Sequence, residues 1–162
     1  MSQPSPATPK YPRRLSDASA RERLFVGMLR YWFDGPTGQQ ALWQTLTTHL
    51  GVGDAQRLLS AFAAFLQAVT AGLRYDLNRP GVECPDLGGD EARLVAIVLA
   101  AGRQDRVAAR AEIEGMIAEA EQSAVLDAAG RLGVLLVAID KLDDFGKNSS
   151  IPRRASPTPM LH

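Results

Sequence analysis

Residues 74–90 read RYDLNRPGVECPDLGGD, a stretch that holds Pro80, Pro85, Gly81, Gly88, Gly89 and the chain's single cysteine, Cys84. Helical apolar periodicity is present on both sides of this stretch and absent within it. Inside compact domains, loops above roughly 12 to 15 residues are uncommon and are usually functional or disordered. The stretch therefore divides the chain into two groups of helices. Its prolines and glycines make it a fixed crossover, with Tyr75, Asn78 and Arg79 as an expected contact surface.

Three helices are predicted before it. Ser16 or Asp17 can cap the first, in which Leu24, Phe25, Met28, Leu29 and Trp32 recur at helical spacing while Arg21, Arg23 and Arg30 fall elsewhere. Asp34-Gly35-Pro36 ends it. Thr37 with Gln40 has the form of a capping box for a second helix through Leu50, carrying Leu42, Trp43 and Leu46 on one stripe. Asp54 can cap a third, over 54–73, whose wide apolar arc calls for two packing neighbours.

Three more helices are predicted after the crossover. Asp90 caps 91–101, apolar nearly all round and so expected mid-bundle. A fifth helix of about 15 residues directs Val107, Ile113, Met116, Ile117 and Ala120 inward and Glu112, Glu114 and Glu119 mostly outward, with Gly115 weakening it. The sixth runs from near Ser123 to Leu142, and its Gly130 and Gly133 allow close approach of another backbone. The expected fold class is all-α, a compact bundle of about six helices in a three-plus-three arrangement over residues 16–142.

Residues 1–15 and 143–162 are proline-bearing and basic, compositions that cannot bury enough apolar surface to offset ordering entropy, so both are expected to be disordered tails. Residues 1–14 carry Lys10, Arg13 and Arg14 without an acid, and 147–162 carry Lys147, Arg153 and Arg154 without an acid. What lies between holds 12 bases against 18 acids. This acidic body disfavours broad nucleic-acid binding, which needs a clustered basic face. Arg13, Arg14, Arg153 and Arg154 instead suit an acidic protein surface. Each pair also begins an Arg-Arg-x-Ser pattern, ending at Ser16 and Ser156, a form that basophilic kinases recognise.

A single cysteine forms no internal disulfide, and no Cys/His ligand spacing occurs. With no apolar leader and no run near the roughly 20 residues a membrane requires, the expectation is a cytoplasmic protein without a membrane span. His49 and His162 are the only histidines, which excludes a di-metal carboxylate bundle. No cofactor fingerprint is present, and none is expected.

Two residues could carry chemistry. Cys84 in the crossover suggests a thiol-dependent or redox-sensing protein, although Glu83 and Asp86 oppose thiolate formation. It would need His49 beside it to form a Cys/His pair. Helices 37–50 and 54–73, joined by Leu-Gly-Val-Gly, resemble a helix-turn-helix DNA-binding element in which Gln56 and Arg57 face bases. Its second helix, however, has Arg57 as its sole base. The aromatic triplet Tyr31-Trp32-Phe33 cannot turn all three rings inward, and Tyr31 or Phe33 is therefore expected at the surface as a partner anchor or a self-association contact. The reading these residues favour is a non-catalytic protein-binding, adaptor or regulatory protein.

Overall fold

The computed structural model describes residues 14–139, which form six α-helices: α1 (Ala20–Phe33), α2 (Pro36–Leu50), α3 (Val52–Gly72), α4 (Gly89–Gly102), α5 (Arg106–Ile113) and α6 (Gln122–Ala138). The all-α bundle, three helices on each side of the crossover, is the architecture that the apolar periodicities predict. Among the described residues, no helix is long and apolar enough to cross a membrane.

Helix ends differ from expectation for identifiable reasons. Ser16 and Asp17 lie in a 3-10 turn (Leu15–Asp17), and Ser19 caps α1 instead. The Ser19 hydroxyl accepts from Glu22 N–H while Glu22 accepts from Ser19 N–H, two helix-end donors satisfied reciprocally. Gly35, at φ +93°, starts α2 with Pro36 in its first turn, so Thr37 lies inside the helix. Gly51, at φ +84°, alone separates α2 from α3 and places Asp54 in the first turn of α3. Positive φ suits glycine because it lacks a Cβ, which lets one residue turn the chain between two helices.

The second half differs more. α5 spans eight residues rather than about 15, because Gly115 adopts φ +84° and breaks it. Val107 consequently faces solvent at 83% exposure, Ala120 is exposed and Glu112 is buried, reversing three expected orientations, while Ile113, Met116 and Ile117 are in the core. α6 stops at Ala138, short of Leu142. The Arg21 guanidinium donates to the Leu136 and Val137 carbonyls at 3.3 and 3.2 Å, taking acceptors that the next turn would use.

α4 is central. Its most extensive partner is α6, and Gly102 and Gly133 make that packing possible. A Cβ on Gly133 would stand 2.7 Å from Gly102 Cα and closer still to the Val98 carbonyl. At the other end of the core, Phe25 meets Phe62 and Phe65 edge-on at 5.8 and 6.0 Å, and Trp32 meets Phe62 at 5.7 Å. Edge-to-face pairs of this kind add about 0.5 to 1.5 kcal/mol beyond area burial. They fasten α1 to α3.

Candidate functional site: a cleft between α1, the crossover and α4

The crossover, residues 73–88, is fixed at several points. Leu87 is buried with Val26 and Ala92, and Leu15 packs on that cluster. Arg14 forms an antiparallel bridge with Asp86, and Leu15 N–H donates to Pro85 O at 2.9 Å. At the other end Leu73 bridges to Ile117. Asp90, in the first turn of α4, accepts from Asn78 N–H at 2.8 Å and from the Tyr75 hydroxyl at 3.1 Å.

Beneath the crossover lies an ion pair that the sequence pattern does not reveal. Arg30 Nε and Nη2 donate to Glu91 Oε2 and Oε1, each at 2.8 Å, a two-pronged pairing with side chains only 2% and 6% exposed. Arg30 also donates from Nη1 to Cys84 O at 2.6 Å and from Nη2 to Asp86 O at 2.8 Å, while Glu91 Oε1 accepts from Gly88 N–H at 2.9 Å. The hydrogen bond to Glu91 raises the Arg30 pKa despite burial, so the guanidinium stays charged. One guanidinium thus joins α1, the crossover and α4. Arg30 lies off the apolar stripe of α1, and only its distant partner, 61 residues away, accounts for its burial. The one signal in the sequence is Glu91 itself, a carboxylate at the start of a helix apolar nearly all round.

Above this pair is a cleft. Leu29 and Phe33, four residues apart on α1, face Leu94 of α4 across a gap bridged by Leu77, Arg79 and Pro80. Phe33 is 37% exposed, and the Arg79 guanidinium lies 4.9 Å over its ring centre. Such a contact contributes about 0.5 to 1 kcal/mol at an exposed site and orients both groups. Asp90 closes the far rim. Phe33 and Leu77 also border a second groove toward Trp32, Leu66, Val69 and Thr70, so they form a ridge between two apolar depressions.

Phe33, Asn78 and Arg79, nominated separately by the sequence, therefore line one cleft, and Tyr75 reaches its rim through Asp90. Burial first, then the Asp90 charge, raises the Tyr75 pKa. Tyr31 is not a surface anchor: it is buried in the core, and its pKa is raised by burial and then by Asp34 and Glu83. Helix geometry gives the reason, since Phe33 and Tyr31 point some 200° apart. Arg14 is exposed beside Asp86, whereas Arg13, Arg153 and Arg154 lie outside the described residues.

Cys84 is half-buried and contributes its carbonyl to Arg30. His49 lies in the last turn of α2. Among the described residues, no group of three or more His, Cys, Asp or Glu side chains is arranged to hold a metal. Gln56 and Arg57 are exposed near the start of α3, with Arg57 3.4 Å from Asp54. The single-residue connection at Gly51 is tighter than the three- to four-residue turn of a helix-turn-helix. No known family, no curated protein and no solved structure matches this chain.

Proposed function

We propose that the chain is a non-catalytic protein-binding domain of adaptor or regulatory type, and that the cleft between α1, the crossover and α4 is its binding surface. The observation that carries the reading is the exposed Phe33, held in place by Arg79 at the mouth of an apolar cleft. Aromatic and arginine side chains are the groups most enriched at the energetic centres of protein interfaces. A cleft whose walls are anchored by a buried ion pair also presents a preformed shape, which lowers the ordering cost of association. Basic residues of the flanking segments would add an electrostatic contribution toward an acidic partner surface.

The test is photo-crosslinking in native lysate through a benzophenone placed at Asn78, comparing the full chain with the same chain carrying Phe33→Ser and Arg79→Ala. The expected result is a discrete adduct that the double variant loses while its melting temperature stays within a few degrees of the parent. Identical adducts from both chains, or none from either, would count against the cleft as the binding surface.

A further inference from the structure

The charges that line the cleft point to the chemistry of what it binds. Four charged side chains border it: Arg30, Glu91, Asp90 and Arg79. The chain itself satisfies three of them. Arg30 and Glu91 hold each other at 2.8 Å, and Asp90 accepts from Asn78 N–H at 2.8 Å and from the Tyr75 hydroxyl at 3.1 Å. Arg79 is different, because among the described residues it pairs with no carboxylate and its guanidinium rests over the Phe33 ring. That contact uses a face of the guanidinium, whereas its N–H donors lie in the plane and stay available, in a layout that matches a carboxylate.

The place of this charge narrows the ligand further. Phe33 and Leu77 form the ridge between the cleft and the groove toward Trp32, Leu66 and Val69, and the second groove is lined without a charged residue. The guanidinium therefore stands over a ridge that has an apolar depression on each side. We infer that the segment this surface takes is an internal stretch of a partner protein in which one Asp or Glu lies between two large apolar side chains. The carboxylate meets Arg79, and one apolar group fills each depression.

This assignment rests on the binding role proposed for the cleft. It selects a side-chain carboxylate over a chain end, since a chain end has apolar groups on one side only and leaves one depression empty. It selects a single acid over a run of acids, because residues 15–146 hold 12 bases against 18 acids and the body repels further negative charge. A basic residue at the same point would face Arg79, and the nearby Asp90 already has two donors.

The experiment is an mRNA-display selection from a random dodecapeptide library against the immobilised full chain, in parallel with its Arg79→Glu, Arg79→Lys and Phe33→Ser variants. Each variant is first shown to melt within a few degrees of the parent. The parent is expected to enrich peptides with a single acid between two apolar residues, Phe33→Ser to lose them, and Arg79→Glu to enrich Lys or Arg at the central place instead. A synthetic peptide of the parent's consensus should bind Arg79→Glu about tenfold or more weakly than the parent, with Arg79→Lys between the two. The same peptide cut after its first apolar residue, so that it ends in a free carboxylate, should lose about as much.

Peptides that depend on Phe33 but lack the central acid, or that bind Arg79→Glu as well as the parent, would overturn the acid assignment and leave the cleft as the binding surface. Full binding by the cut peptide would likewise overturn it in favour of a chain end. The absence of any peptide that depends on Phe33 would remove both the assignment and the binding role.

Discussion

α4 is held on two sides by opposite means. Toward α6 it is close, with Gly102 against Gly133 and no side chain between the backbones. Toward α1 and the crossover it is tied by charge, through Arg30 and Glu91 buried together and supplied with backbone partners at Cys84, Asp86 and Gly88. The first contact tolerates no added atom, and the second tolerates no removed one. A buried ion pair is weak evidence of net stability, because desolvation offsets most of the attraction, yet its geometry admits one arrangement of the elements it joins. The α6 side therefore contributes packing, and the α1 side fixes where the crossover and its cleft lie.

The sharpest way to break this contrast is to remove one charge. Glu91→Leu leaves the Arg30 guanidinium buried without its counter-ion and is expected to lower unfolding free energy by about 3 to 5 kcal/mol. Arg30→Met with Glu91→Leu should recover most of that loss while disturbing the crossover, seen as faster amide exchange at Asn78 and Gly88. If the double variant exchanges like the parent there, the pair does not position the crossover.

On the α6 side, Gly133→Ala should cost about 1 to 3 kcal/mol in urea unfolding, as overpacking does in a close interface. Gly130→Ala, three residues earlier where a Cβ meets nothing within 4 Å, should be neutral or stabilise by up to about 1 kcal/mol through helix propensity. Similar effects at the two glycines would show that the close approach is not what the interface depends on.

The smallest expected effect lies in two phenols, one in the core and one on the rim. Tyr31 and Tyr75 both hold their protons more tightly than a free phenol. Their folded pKa values therefore lie above the unfolded value of about 10. The stability they contribute is full below that pH and falls as pH rises through the folded values. Ultraviolet titration should show a late-ionising component reduced by Tyr31→Phe and, to a lesser extent because it is more exposed, by Tyr75→Phe. Phenols that all ionise at the ordinary value would remove the prediction.

The bundle was legible because apolar spacing reports helices directly: Leu24, Phe25, Met28 and Leu29 on α1, or Leu94, Val95, Ile97 and Val98 on α4, are all buried. The crossover was legible from composition, and Phe33, Asn78 and Arg79, nominated separately, line one cleft. Two kinds of feature were hidden. Arg30 could not be assigned to the interior because its partner is remote in sequence, and a lone arginine off the apolar stripe is normally solvated. The short α5 was missed because Val107 and Ala120 fit a continuous helical period, while Gly115 at φ +84° could be recognised as a break only from its backbone conformation.

Arg21 carries a consequence for how the molecule is made. The side chain that ends α6 sits 115 residues upstream of the carbonyl it reaches. During synthesis α1 emerges first and α6 last, so the terminus of the final helix can be defined only once nearly the whole domain has left the ribosome. Before α4 emerges, α1 presents Leu29 without Leu94 opposite it. This chain closes its first and last helices in one late event, which makes the nascent three-helix half the state most in need of protection from premature association.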